Sequence, residues 1–280
     1  MRLAGLHLRN GAHGMIQPFK SGPDLIAEID QTIAVTPTLW WLGHAGFVMK
    51  FAHITFYIDP CLGDPPGRTR RTAAPLAAHQ IRHADMIFTT HGHPGHLDTA
   101  SVATMLALSK VAKVALPRSE VESAHQAGIP YDRMTSTDSG LRIEYFKENL
   151  YGRVYSIPSA HPGIGWTQAN GHPYLGYLIR FGRWTVYHAG DCAPYADLVR
   201  NLRPFTPTVL LLPIGPGKFS SSQAADLAEE VGAEWVVPMH YGTFDAGGQE
   251  SEFVSHMLGH RPSQRFHVCQ VGEKWTVPED

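Results

Sequence analysis

A short apolar run leading into a histidine or an aspartate recurs along this chain, and this repeated join constrains the fold more than any other feature. Met86–Thr90 runs into His91-Gly92-His93-Pro94-Gly95-His96, and Val154–Ile157 into Pro158-Ser159-Ala160-His161. Trp184–Tyr187 runs into His188-Ala189-Gly190-Asp191, and Trp235–Val237 into Pro238-Met239-His240. Apolar runs this short, bounded by turn residues, read as buried strands. Polar side chains at the ends of neighbouring strands converge on one rim of a sheet, where rigid elements hold them and water still enters.

The same reading gives strands over Leu39–Leu42, Phe47–Phe51, Thr55–Ile58, Val111–Leu116, Leu141–Phe146, Tyr174–Arg180, Val209–Leu212, Arg265–Cys269 and Trp275–Val277. That is too many for one simple parallel sheet. Helices are expected over Asp24–Ile33, over Thr99–Leu108 behind the candidate cap Asp98, and over Ser119–Gln126, which opens on a Ser119/Glu122 capping-box pair. Two more, Ser222–Val231 and Glu250–Leu258, each run into a glycine. Strand pairs occur early and late, with βα units in both halves, so an α/β architecture of two sheets with helices outside is expected. Residues 1–37 read as an N-terminal arm packed on the body, and residues 38–280 as a single domain with no internal repeat or dividing linker.

Composition narrows the function. At 43% hydrophobic and 17% charged residues the balance is that of a soluble globular protein. The longest apolar stretches, such as Val209–Ile214, fall far short of the ~20 residues of a membrane-spanning helix, and Met1–Gly14 has no continuous apolar core of the signal-peptide kind. No membrane association and a cytoplasmic location are expected. Cys61, Cys192 and Cys269 share no metal-type or redox-type spacing. A net charge of −2 gives no electrostatic footprint for nucleic acid. The anomaly is 17 histidines, since histidine is the commonest protein metal ligand.

Within His91–His96, the first two histidines are two residues apart and point to one side if extended, while Gly92 and Gly95 let the backbone turn so that His96 approaches the same volume. A polar loop with surface histidines is the competing reading, and the three other strand-end joins weigh against it.

Taken together, these segments resemble the metallo-β-lactamase-fold hydrolases, whose metal-binding motifs occur in this order from about Leu39 to Val277. Closer still is the ascorbate-6-phosphate-lactonase-like branch, through Trp41-Leu42-Gly43-His44-Ala45-Gly46-Phe47, Ile58-Asp59-Pro60, His188-Ala189-Gly190-Asp191, Leu212-Pro213-Ile214-Gly215 and Pro238-Met239-His240-Tyr241-Gly242-Thr243-Phe244. The resemblance implies an αββα sandwich of two mixed β-sheets flanked by helices. It implies one metal on His91, His93 and His161 and a second on His96 and His240, with Asp191 bridging. The chain departs from the family at Gly95, where the motif ordinarily carries an aspartate that ligates the second metal and orients the attacking water. Three consequences stay open: a second ion on His96, His240 and Asp191 alone, a mononuclear centre, or a non-catalytic metal- or ligand-binding scaffold. Asp98 either approaches that gap or caps the following helix.

The expected cofactor is thus one or two divalent ions, zinc or manganese first, with iron or nickel also suited to His and Asp donors. A bound ion lowers the pKa of its water toward neutrality and polarises the substrate, so hydroxide can attack a carbonyl or phosphoryl centre. Asp191, His240, His44 and Tyr241 are the candidate catalytic residues: Asp191 as proton acceptor, His44 as a bond to substrate oxygen or a ligand, with a buried histidine satisfied by backbone as the alternative, and Tyr241 as a donor to an oxyanion. Lys218, Arg68 and Trp166 are the candidate substrate contacts, the first two against a solvated-surface alternative, and His188 is a candidate for orienting a ligand. The expected reaction is hydrolysis of a small lactone or ester, phosphorylated or not, with phosphodiester hydrolysis as the alternative. The partner is a small molecule, and homo-oligomerisation is left open.

Overall fold

The computed structural model describes residues 14–244 and 247–279. The first thirteen positions of the expected arm lie outside the described residues. The strands are β1 (Ala34–Gly43), β2 (Gly46–Ala52), β3 (Ile54–Ile58), β4 (Met86–Phe88), β5 (Lys113–Pro117), β6 (Met134–Thr137), β7 (Arg142–Lys147), β8 (Leu150–Pro158), β9 (Leu175–Phe181), β10 (Trp184–His188), β11 (Val209–Pro213), β12 (Trp235–Met239), β13 (Arg265–Phe266) and β14 (Lys274–Thr276). The α-helices are α1 (Gly22–Gln31), α2 (Thr99–Leu108), α3 (Val121–Gln126), α4 (Leu198–Leu202), α5 (Ser221–Val231) and α6 (Gln249–His260).

The strands form two seven-stranded sheets, ordered β14-β1-β2-β3-β4-β5-β6 and β13-β12-β11-β10-β9-β8-β7. Both are mixed: β3 through β6 and β10 through β13 run parallel, and the remaining pairs are antiparallel. This is the two-sheet α/β architecture expected from the sequence.

Period-2 alternation sorts the first sheet into two faces. Leu39 and Trp41, Phe47 and Met49, and Phe56 and Ile58 join one core with Tyr177, Ile179, Val186 and Leu211 of the second sheet. Trp40, Leu42, Val48 and Tyr57 point the other way and pack with Leu25 and Ile29 of α1, Val102 and Met105 of α2, and Ala124 of α3. The second sheet is covered by α4, α5 and α6 through Leu198, Leu202, Ala224, Leu227, Phe253 and Met257. A runlike strand such as Val209–Pro213 is buried throughout because it lies in the middle of a sheet covered on both sides.

Several local expectations change. β6 was not foreseen: its Met-Thr-Ser-Thr segment is polar, and only Thr137 is buried, because it is the edge strand. β1 begins at Ala34, so the end of the expected arm is part of the sheet. β13 stops after two residues. The Ser119/Glu122 capping box does not form: residues 118–120 are a 3-10 turn, and the Ser119 hydroxyl donates to Glu120 Oε1 at 3.0 Å. Asp98 does cap α2, its carboxylate accepting from Ser101 N.

Candidate metal centre

Every side chain of the centre follows the C-terminal end of a strand. His44 follows β1, Asp59 follows β3, His91 to His96 follow β4, His161 follows β8, Asp191 follows β10 and His240 follows β12. His44, Asp59 and His240 have left-handed backbone, with φ of 52°, 44° and 80°. Such conformations cost roughly 1–3 kcal/mol each outside glycine and persist where surrounding structure over-determines them. Here His240 N donates to His44 O at 3.0 Å, Trp41 Nε1 donates to the same oxygen at 3.1 Å, and His44 N donates to Thr243 Oγ1 at 2.7 Å.

The donors gather in two adjacent groups. One nitrogen or oxygen from each of His91, His93, His161 and Asp191 lies within 4.8 Å of the others, and so does one nitrogen from each of His44, His96 and His240. His91 Nε2 and His93 Nδ1 are 3.1 Å apart, and His161 Nε2 and Asp191 Oδ2 3.2 Å. Asp191 Oδ1 is 3.3 Å from His240 Nε2, and its Oδ2 4.0 Å from His96 Nε2, so the carboxylate lies between the groups. Two ligands at the ordinary ~2.0–2.1 Å from a tetrahedral ion stand about 3.3 Å apart, close to these separations. Among the described residues His96 Nε2 and His240 Nε2 are buried without a hydrogen bond, an arrangement that an ion resolves and a purely structural role does not. The residues therefore fit a divalent metal.

Asp59, fully buried, prepares these donors. It accepts from Thr90 N, Thr90 Oγ1 and His96 Nδ1, each at 2.7 Å. Thr90 Oγ1, its proton spent on Asp59, is left to accept from His91 Nδ1 at 3.1 Å. Both imidazoles thus carry their proton on Nδ1 and present an Nε2 lone pair to the centre. Sequence reasoning assigned Asp59 no role. The signal was present, since Ile58-Asp59 is another apolar run ending on a carboxylate.

Burial pushes the pKa of His44, His91 and His240 well below the ordinary histidine value, and lowers those of His93 and His161 less. Neutral imidazoles are the form that binds metal. Burial alone would raise Asp191, but the groups facing it, His96 and Lys218, hold its carboxyl below the usual carboxylate range.

Lys218 is in the centre, not on the surface: its ammonium pairs with Asp191 and stands 3.3 Å from His161 Nδ1. Arg68 stands beside the other donor group, Nη1 3.4 Å from His44 Nε2. Tyr241 is not an oxyanion donor, because its hydroxyl donates to Cys269 O at 2.6 Å in the core and its ring packs on Trp41. Trp166 is 57% exposed and does not line the metal-site cavity. Asp98 does not approach the gap at Gly95: its Oδ2 accepts from Leu62 N and Gly63 N and its Oδ1 from Ser101 N. His188 bonds backbone instead of a ligand, meeting Ala45 O at 2.7 Å and accepting from Gly190 N at 3.1 Å, which steadies the turn carrying Asp191. The cavity over the centre measures about 130 Å³ and is lined by His44, Arg68, His93, Gly95, His96 and Asp191, with Pro65, Pro66 and Pro94. A larger one of about 510 Å³ is lined by Lys218, whose ammonium pairs with Asp191, and by Ile214, Phe219, Ser220 and Gln249.

Two mixed sheets with clustered His and Asp donors at their strand ends define the metallo-β-lactamase fold, and residues 55–241 match the beta-lactamase superfamily domain. A UPF0173 metal-dependent hydrolase of Myxococcus xanthus is 33% identical over 215 residues, covering 75% of this chain and 71% of that one. One from Caldivirga maquilingensis is 28% identical over 249 residues, covering 86% and 98%. The solved structure of Igni18, a metallo hydrolase from Ignicoccus hospitalis, superposes with a TM-score of 0.63 over 88% of this chain and 100% of that one at 23% identity. The chain belongs to the metallo-β-lactamase superfamily and, within it, to the UPF0173 metal-dependent hydrolase family.

Proposed function

We propose that this protein hydrolyses a small lactone or other ester, of the phosphorylated kind, at a metal centre on His91, His93, His161 and Asp191 with His96 and His240 beside it. The observation that carries the reading is the Asp191 carboxylate lying between two groups of histidine nitrogens, 3.2 Å from His161 Nε2 and 3.3 Å from His240 Nε2. A divalent ion bound there supplies Lewis acidity and a hydroxide nucleophile near neutral pH. Asp191 is the carboxylate placed to take the proton of the attacking water. Water adds to the carbonyl carbon, the ester C–O bond breaks, and the proton returns to the leaving oxygen. Arg68 stands beside His44 and Lys218 beside Asp191 and His161, so an anionic substituent has two cations within reach of the centre. The smaller cavity admits little more than the reacting group, at roughly 30 Å³ per water-sized unit, and the larger one has room for the rest of a small substrate. The lactonase-like branch suggested by the motifs agrees with this substrate class. Among the described residues no helix is long and apolar enough to cross a membrane.

The test is turnover of zinc- and manganese-loaded protein on matched panels of lactones and esters, with and without phosphate, beside an activated phosphodiester. Preference for phosphorylated lactones or esters supports the reading, and preference for the phosphodiester replaces it with phosphodiesterase activity. Asp191→Ala should lose at least a thousandfold in kcat, in keeping with the loss of a proton acceptor and ligand. Retained turnover at normal metal content removes Asp191 from that role.

A further inference from the structure

Gly95 is the position at which this chain lacks a donor, and the space beside it is taken by a ring. A Cβ placed on Gly95 would stand 3.0 Å from His44 Nε2 and 3.2 Å from its Cδ2. The glycine is therefore matched to the imidazole: a larger residue there would need His44 to move.

His44 is also built in at some expense. It has left-handed backbone, as does His240, and the two are tied by the His240 N–H to His44 O bond. The side-chain partner of the His44 ring is Arg68, which can only donate, so His44 Nε2 carries no proton and accepts from Nη1 at 3.4 Å, a weak bond that an ion at this nitrogen would replace. His96 Nε2 and His240 Nε2 also face the interior with no hydrogen bond among the described residues. The three rings pack with centroids 3.7 Å (His44–His240), 5.1 Å (His44–His96) and 5.4 Å (His96–His240) apart.

We propose that His44, His96 and His240 form a second metal site of three nitrogen donors, in which the His44 imidazole occupies the room that Gly95 leaves. Three imidazoles select borderline divalent ions of the zinc, cobalt and nickel class over magnesium or calcium. Asp191 Oδ1, 3.3 Å from His240 Nε2, offers the fourth, shared position. The inference rests on the hydrolase reading only in taking His91, His93 and His161 as the neighbouring site.

The experiment is metal counting by plasma mass spectrometry, with visible spectra of cobalt-loaded protein, on four forms of the full chain: wild type, His161→Ala, His44→Ala, and His44→Ala with Gly95→Asp. Wild type should hold two ions and His44→Ala one. The double variant should regain the second, because removing the ring opens the space for a carboxylate at position 95. Two ions retained in His44→Ala at wild-type affinity overturn the proposal. A double variant still at one ion overturns the exchange of roles between positions 44 and 95. If His44→Ala does not fold, cobalt-loaded wild type labelled with 15N-histidine decides: contact-shifted signals from all of His44, His91, His93, His96, His161 and His240 are expected, and their absence from His44 overturns it. His161→Ala reports on the first site separately, so an unchanged metal content there would refute the hydrolase centre and leave the three-histidine site standing on its own count.

Discussion

Replacing Asp59 by asparagine tests how the centre is prepared. Asparagine keeps the shape and tolerates the left-handed backbone at φ 44°, so only the number of acceptors changes. The carboxylate serves three donors, with Oδ1 facing Thr90 N and Oδ2 facing both Thr90 Oγ1 and His96 Nδ1. In one orientation the new amide NH₂ meets the Thr90 N–H; in the other it meets the hydroxyl and the His96 ring. The first orientation strands the fully buried Thr90 N–H, at about 1–3 kcal/mol, and the second makes the hydroxyl and His96 Nδ1 accept from the amide instead of donating. The second orientation also releases His96 to carry its proton on Nε2, the atom needed for metal, and loss of such an orienting partner typically costs about 10–100-fold in metal affinity. Urea unfolding of the metal-free protein should show the stability loss, and competition with a chromophoric chelator the affinity loss. An unchanged urea midpoint with unchanged metal affinity would refute the argument that Asp59 sets the tautomers.

Three further outcomes follow from the geometry. Tyr241→Phe removes the buried bond to Cys269 O and should destabilise by about 1–3 kcal/mol while leaving kcat unchanged; a large fall in kcat would return the hydroxyl to the chemistry. Asp98→Ala should lower stability by at least the ~1 kcal/mol of a helix cap and leave metal content intact, as measured by thermal unfolding and mass spectrometry, whereas loss of an ion would make Asp98 a ligand. For pH, burial depresses His44, His91 and His240 in the folded state, so the unfolded chain binds more protons below the ordinary histidine value of about 6.5. Stability of the metal-free protein should be full above that pH and fall as pH drops below it toward the depressed values; a urea midpoint constant from pH 7.5 to 5.5 would contradict this.

Much of the fold was legible because its strands are strongly apolar and sharply punctuated. Thr99–Leu108 forms the helix read from Asp98 and the following pattern, and the runs ahead of His91, His161, Asp191 and His240 all form strands. Weaker signals failed where tertiary contacts supply what local sequence does not. Met134–Thr137 pairs as an edge strand through backbone bonds to β5 that its polar side chains do not advertise. Ser119 and Glu122 have capping-box spacing, yet the chain enters α3 through a 3-10 turn. Lys218 looks like a solvated loop lysine until the turn after β11 brings it onto Asp191.

The sequence by itself determined which residue types end the strands, and hence that nitrogen and carboxylate donors would meet on one rim of a two-sheet core. Hydrophobic periodicity reports how each residue's own backbone is placed, and the strand-end join is such a local property. Tertiary structure alone decided which donors share a centre, that Tyr241 turns into the core, and that His44 fills the space beside Gly95. Those outcomes depend on pairing between strands distant in the chain and on ring orientations set by partners such as Asp59. No local pattern encodes them, because a side chain's direction is settled only when the neighbours that it packs against are in place.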